Sequence, residues 1–89
     1  MRRVRVHISG HVQGVFFRAS CADRAEGLGL SGWIRNVAGG DVEAVFEGTE
    51  SAVEQMLTWC REGPPLARVD RVGSVDEAPT GGSGFHITR

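Results

Sequence analysis

Apolar and polar residues alternate at the start of the chain. Val4, Val6 and Ile8 are separated by Arg5 and His7, and this period of two predicts a strand over residues 3–9. The period then lengthens: Ala19, Ala22, Ala25 and Leu28 recur at near-helical spacing and predict a helix over 17–28, with Gly29 as its stop. Strands are expected near 31–37 and 41–47, joined by a turn containing Gly39 and Gly40. Thr49 is placed to cap a second helix over 50–62, with an apolar stripe of Val53, Met56, Leu57 and Cys60 and a firm end at Gly63-Pro64-Pro65. Val69, Val72 and Val75, in imperfect alternation, predict a strand near 69–76. A glycine-rich turn over 80–84 then leads to a short last strand containing Phe85 and Ile87.

The order strand, helix, strand, strand, helix, strand is two split β-α-β units. It implies an α+β, ferredoxin-like sandwich in one domain over 1–89, with two helices on one face of an antiparallel sheet and a short extra strand at the C-terminus. Right-handed crossovers fix the order of the four main strands as 4-1-3-2. The first and second strands then run parallel with the third between them, so their C-terminal ends lie at the same edge, roughly 10 Å apart. Parity sharpens the geometry. If Leu30, Gly32 and Ile34 face the helices, so does Asn36, while Trp33, Arg35 and Val37 face the open side. Pairing Asn36 with Val42 through the 37–41 turn puts Trp33 opposite Val45, a structural use for the indole.

Composition narrows the function. Eighty-nine residues, 40% hydrophobic and 24% charged, suit one small globular domain. No apolar run is long enough to cross a membrane, and the alternating N-terminus lacks the apolar core of a signal peptide. A net charge of −1 argues against nonspecific binding of nucleic acid. All ten basic residues are arginine. The absence of lysine removes the Walker, Schiff-base and serine–lysine chemistries, so any cation that binds phosphate must be a guanidinium. Cys21 and Cys60 fall on the two helices and read as core thiols of a reducing, cytoplasmic setting. Arg2, Arg3 and Arg5 read as a solvated strand end.

The distinctive stretch is residues 8–18, Ile-Ser-Gly-His-Val-Gln-Gly-Val-Phe-Phe-Arg. A strand runs into a glycine-bracketed loop, and an arginine follows where a helix begins. Gly10 and Gly14 permit backbone conformations that side chains disfavour. Successive N–H groups can then form a concave nest, to which the helix adds its unpaired donors and positive dipole end. Arg18 supplies a planar fork of donors matched to phosphate oxygens. His11, Val12, Gln13, Gly14, Val15 and Phe16 are therefore expected to form a phosphate-binding loop.

These residues resemble the first motif of the acylphosphatase family, Gly-x-Val-Gln-Gly-Val-x-x-Arg, here Gly10, Val12, Gln13, Gly14, Val15 and Arg18. The second motif follows as Gly32-Trp33-Ile34-Arg35-Asn36, then Gly40, Val42 and Gly48, with Ile34 in place of the family's usual smaller apolar residue. The resemblance covers nearly the whole chain. It implies a free-standing acylphosphatase that hydrolyses small acyl phosphates to a carboxylate and inorganic phosphate, with Arg18 and Asn36 as the catalytic residues.

That chemistry matches the residues present. The leaving group is a carboxylate, whose acid has a pKa near ~4, so its departure needs no general acid. What remains is to bind the phosphoryl group, neutralise charge on its oxygens and place a water in line. The loop amides and Arg18 fit the first two tasks, and Asn36 fits the third. No metal or cofactor is needed, and His7, His11 and His86 lack ligand spacing. His11 invites a general-base reading, as any histidine does near neutral pH, yet the motif does not require histidine there. The chain is expected to be a cytoplasmic monomer without nucleic-acid or membrane partners.

Two other readings compete. One is a carbamoyl-phosphate-processing domain like the start of hydrogenase-maturation factors, which are much longer chains with downstream zinc motifs. The other is a noncatalytic ferredoxin-like module that binds anions or RNA. RNA recognition calls for exposed aromatics on the central strands, where strand one instead turns Arg5, His7 and Ser9 outward. The sequence shows no defined pocket for the acyl group.

Overall fold

The computed structural model describes residues 1–89. Five strands and two helices follow in the order β1 (Arg2–His11), α1 (Phe17–Gly27), β2 (Ser31–Asn36), β3 (Val42–Gly48), α2 (Glu50–Glu62), β4 (Arg68–Glu77) and β5 (Phe85–Ile87). The sheet order is β4-β1-β3-β2-β5, so the four main strands have the expected 4-1-3-2 arrangement. These four pair antiparallel, while β5 adds a parallel strand beside β2 and makes the sheet mixed. Three residues carry too little periodicity to announce a parallel edge, and pairing with β2 is what orders them.

The core lies between the sheet and the helices. Val4, Val6 and Ile8 of β1 are fully buried, as are Ile34 of β2 and Ala44 and Phe46 of β3. The α2 stripe of Val53, Met56, Leu57 and Cys60 is buried as expected. The buried face of α1 differs from the alanine spacing: it is Phe17, Cys21, Ala22 and Ala25, and Ala19 is exposed. Phe17 rotates the helix because its ring packs against Trp59 of α2, with centroids 5.3 Å apart. Cys21 and Cys60 are free, buried thiols, and burial, followed by the Cys60 contact, pushes the Cys21 thiol well above its ordinary pKa.

Irregular alternation in β4 has a structural cause. The β1–β4 register shifts between Ser9, paired with Arg71, and Gly10, paired with Val69. This bulge lets Val69 and Val72 both pack against the core despite their odd spacing. It also explains Gly10, whose φ is 136° and where an added Cβ would lie 2.1 Å from the Arg68 carbonyl oxygen.

The arginines at the start of β1 are not a solvated end. Arg2 bonds to Glu50, Glu54 and Asp76. Arg3 bonds to Glu77 and to the fully buried carboxylate of Glu47. Glu47 also accepts the backbone N–H groups of Thr80 and Gly81, both at 2.8 Å, which pins the segment leading to β5. On the open face Trp33 lies opposite Val45 as expected, and the Arg5 and Arg35 guanidiniums approach its ring to 5.4 and 5.3 Å.

Candidate active site

Between the end of β1 and the start of α1, the chain turns back on itself through residues 12–16. Gly14 has φ 74° and Phe16 has φ 64°, ψ 22°, both in the left-handed region. Glycine takes that conformation freely; for phenylalanine it costs on the order of 1 kcal/mol or more. The result is a run of amide donors without a backbone acceptor. No backbone carbonyl accepts from the amides of residues 12–19, and the first such bond in α1 is Ser20 N–H to Phe16 O at 3.0 Å.

The helix start is built differently from that of α2. Thr49 caps α2 by accepting the Ala52 N–H at 3.2 Å. Phe16, at the equivalent place on α1, has no side-chain oxygen to cap it, and the first turn of α1 carries no acidic residue. Leaving a helix uncapped costs about 1 kcal/mol. It leaves the dipole and the free N–H groups available to an anion.

Arg18, Asn36 and this loop come together around one cleft of about 310 Å³. Val12, Gly14 and Phe16 line it from the loop, Phe17, Arg18 and Ala19 from α1, and Asn36 and Ile87 from the sheet. Asn36 ends β2 opposite Val42, on the same face as Ile34, so parity aims its side chain at the helix start. Its Oδ1 is buried without a hydrogen-bond partner. Buried acceptors are rarely left this way, because an unmet one costs about 1–3 kcal/mol. Arg18 is half-buried and forms no ion pair with any carboxylate. The cleft thus joins a free guanidinium, a helix start rich in donors and an unpaired amide oxygen.

Other loop residues act through their backbone or by holding the loop. The Gln13 side chain donates to the carbonyls of Val37, at 2.9 Å, and Asp41, at 2.8 Å, clamping the loop to the β2–β3 turn. Val12 and Val15 are buried, 1% and 5% exposed, and bind the loop to the core. His11 is exposed at the end of β1, paired with Arg68, and does not line the cleft. Ile87, Phe17 and Ala19 line it without having been marked by the sequence.

Near the turn, Asp41 meets both the His7 ring, at 2.6 Å, and the Ser9 hydroxyl, at 3.2 Å. The His7 contact holds the Asp41 carboxyl below its ordinary pKa, with the Ser9 bond adding to it. The serine bonds to the carboxylate and not to the imidazole, so this cluster lacks the serine–histidine bond of an activated nucleophile. No group of three His, Cys, Asp or Glu side chains is close enough together to hold a metal ion.

Comparison with known proteins gives a consistent result. The acylphosphatase family model matches residues 4–87. An acylphosphatase of Rubrobacter xylanophilus is 56% identical over 87 residues, covering 97% of this chain and 79% of that protein. An acylphosphatase structure from Coxiella burnetii superposes with a TM-score of 0.94 at 39% identity, covering 98% of this chain and 92% of the other. One from Bacillus subtilis superposes with a TM-score of 0.95 at 30% identity, with both chains fully covered.

Proposed function

The chain belongs to the acylphosphatase family, and we propose that it hydrolyses small acyl phosphates to a carboxylate and inorganic phosphate at the cleft of Arg18 and Asn36. As a hydrolase of this class it needs few parts. The amides of residues 12–16 and the first turn of α1 receive the phosphoryl oxygens, and the Arg18 fork neutralises their charge. The Asn36 Oδ1 accepts a hydrogen bond from the attacking water and fixes it in line with the scissile P–O bond. The P–O bond to the water forms as that to the carboxylate breaks; the carboxylate leaves as a stable anion, and the water's protons stay with the phosphate that is released.

The observation that carries this reading is the buried, unpartnered Oδ1 of Asn36 beside a free arginine. A site built only to bind phosphate would need donors throughout; an acceptor is useful to a water molecule. Gly14, Val12, Gln13 and Val15 shape the loop, and Phe16 forms the hinge to the helix.

A panel of acyl phosphates tests the activity, with phosphate monoesters as controls. Release of phosphate from acetyl phosphate but not from monoesters is expected. A module that binds phosphate without turnover would overturn the reaction. No helix is long and apolar enough to cross a membrane. We take the protein to act as a monomer in the cytoplasm, without nucleic-acid partners, in keeping with its net charge of −1.

A further inference from the structure

Large hydrophobic side chains are exposed at only five places: Met1, Phe16, Leu66, Val75 and Ile87. Two of them, from opposite ends of the chain, line the same cleft. Phe16 is 74% exposed and Ile87 is 49% exposed. Scattered exposed apolar residues are ordinary on a protein surface, but two converging on one concave site are not.

Both walls are held in place. Phe16 keeps its ring in solvent at the cost of a left-handed backbone, and it joins neither of the two aromatic pairs, Phe17–Trp59 and Phe46–Phe85. Ile87 rides on β5, which is fixed at one end by Gly32 N–H to Gly84 O, at 3.0 Å, and at the other by Thr88 N–H to Ile34 O, at 2.8 Å. Stacking of Phe85 on Phe46, with centroids 5.6 Å apart, anchors the strand to the core. A wall on a braced strand can select a ligand by shape.

We propose that Phe16 and Ile87 form an acyl subsite that favours aromatic or branched apolar acyl groups over acetyl and over polar ones. The inference rests on the reaction proposed above. With the phosphoryl group on the loop amides and Arg18, the acyl carbon lies one oxygen away, and its substituent must leave across the remaining walls of the cleft. Apart from Arg18 and Asn36 the lining side chains are apolar, so they offer nothing to a hydroxyl or a second carboxylate. At about 310 Å³, the cleft matches the lower end of the range for small organic ligands.

The test compares kcat/KM for benzoyl, isobutyryl and acetyl phosphate in the wild type, Phe16→Asn and Ile87→Ser. Asparagine tolerates the left-handed backbone, so the first variant removes the ring without forcing the loop. Reading each variant as a ratio to wild type cancels the intrinsic reactivity of the substrates. The benzoyl-to-acetyl ratio should fall roughly 3- to 10-fold in each variant, the size expected for partial loss of an apolar contact.

Binding is measured alongside by calorimetry with phenylphosphonate and methylphosphonate, which are not hydrolysed. Wild-type protein should hold the phenyl compound roughly tenfold more tightly, and Ile87→Ala, a milder change in case serine disturbs β5, should narrow that gap. Equal affinity for the two phosphonates, or an unaltered substrate ratio in folded variants, overturns the subsite. Absence of turnover with the phenyl preference intact would defeat the reaction and leave the subsite standing.

Discussion

The side-chain amide of Gln13 reaches across the sheet edge to the main chain of Asp41, at 2.8 Å, and the same nitrogen donates to Val37 at 2.9 Å. Val37 N–H also donates to the Asp41 carbonyl at 3.0 Å, so one glutamine closes both the loop and the turn that follows Asn36. The loop and the strand end that carries Asn36 are therefore held by a single clamp.

Gln13→Ala should weaken phosphate binding and lower kcat together, each by roughly tenfold, because displacement of the loop alters both partners. Losing two hydrogen bonds to half-buried carbonyls should also cost about 0.5–1.5 kcal/mol of stability. Thermal melts and phosphate titration of the variant measure the two effects. A variant with full activity and reduced stability would limit Gln13 to the fold.

Arg18→Ala should reduce turnover by roughly 10²–10³-fold or more while the melting temperature stays near wild type, since the guanidinium has no carboxylate to lose. Arg18→Lys should remain severely impaired, because an ammonium cannot replace the planar fork. Steady-state assays of both folded variants decide the matter: wild-type rates in either would remove Arg18 from the mechanism.

Asn36→Ala should depress kcat strongly and leave inorganic phosphate binding almost intact. An interaction made with the nucleophile is felt in the transition state, not in the bound phosphate. Parallel phosphate titrations of the Arg18 and Asn36 alanine variants separate the roles. A large loss of affinity in Asn36→Ala would reassign the residue to substrate binding.

Much of this geometry was legible beforehand because strand parity is strict. Counting through a five-residue turn sufficed to pair Asn36 with Val42 and Trp33 with Val45. Thr49 and Gly63 likewise marked the ends of α2 through local chemistry. What escaped notice depends on partners distant in sequence. The pairing of Arg2 and Arg3 with carboxylates of β3, α2 and β4, the clamp made by Gln13 and the meeting of Phe16 with Ile87 leave no periodic trace. The uneven valines of β4 likewise follow from the bulge at Gly10, which no local pattern announces.

Exhaustive treatment with EDTA should leave activity unchanged. On the proposed mechanism, Arg18 and the free amides supply the positive field that Mg²⁺ gives in other phosphoryl-transfer sites. Metal-free protein that loses activity and regains it with Mg²⁺ would show that this field is insufficient.

Glu47 gives a pH-dependent prediction. Backbone N–H groups of Thr80 and Gly81 hold its carboxyl below the ordinary value of 4.5, with Arg3 contributing less. A lowered folded-state pKa means stability that is present above the unfolded value and lost as pH falls through the folded one. Glu47→Gln should therefore melt at a lower temperature than wild type at neutral pH, with the gap closing on acidification below about 4. Melting curves of both proteins between neutral and acid pH measure this; a gap independent of pH would mean that charge is not the cause.

Mixed anhydrides of phosphate are acylating agents, and the usual casualty in a protein is a lysine amine. This chain meets them with a guanidinium in the cleft and has no lysine among its 89 residues. The charge of a guanidinium is delocalised over its three nitrogens, so it presents no free electron pair with which to attack the carbonyl. On the proposed mechanism the choice of cation governs durability as well as affinity: Arg18 would face the electrophile turnover after turnover without becoming its target.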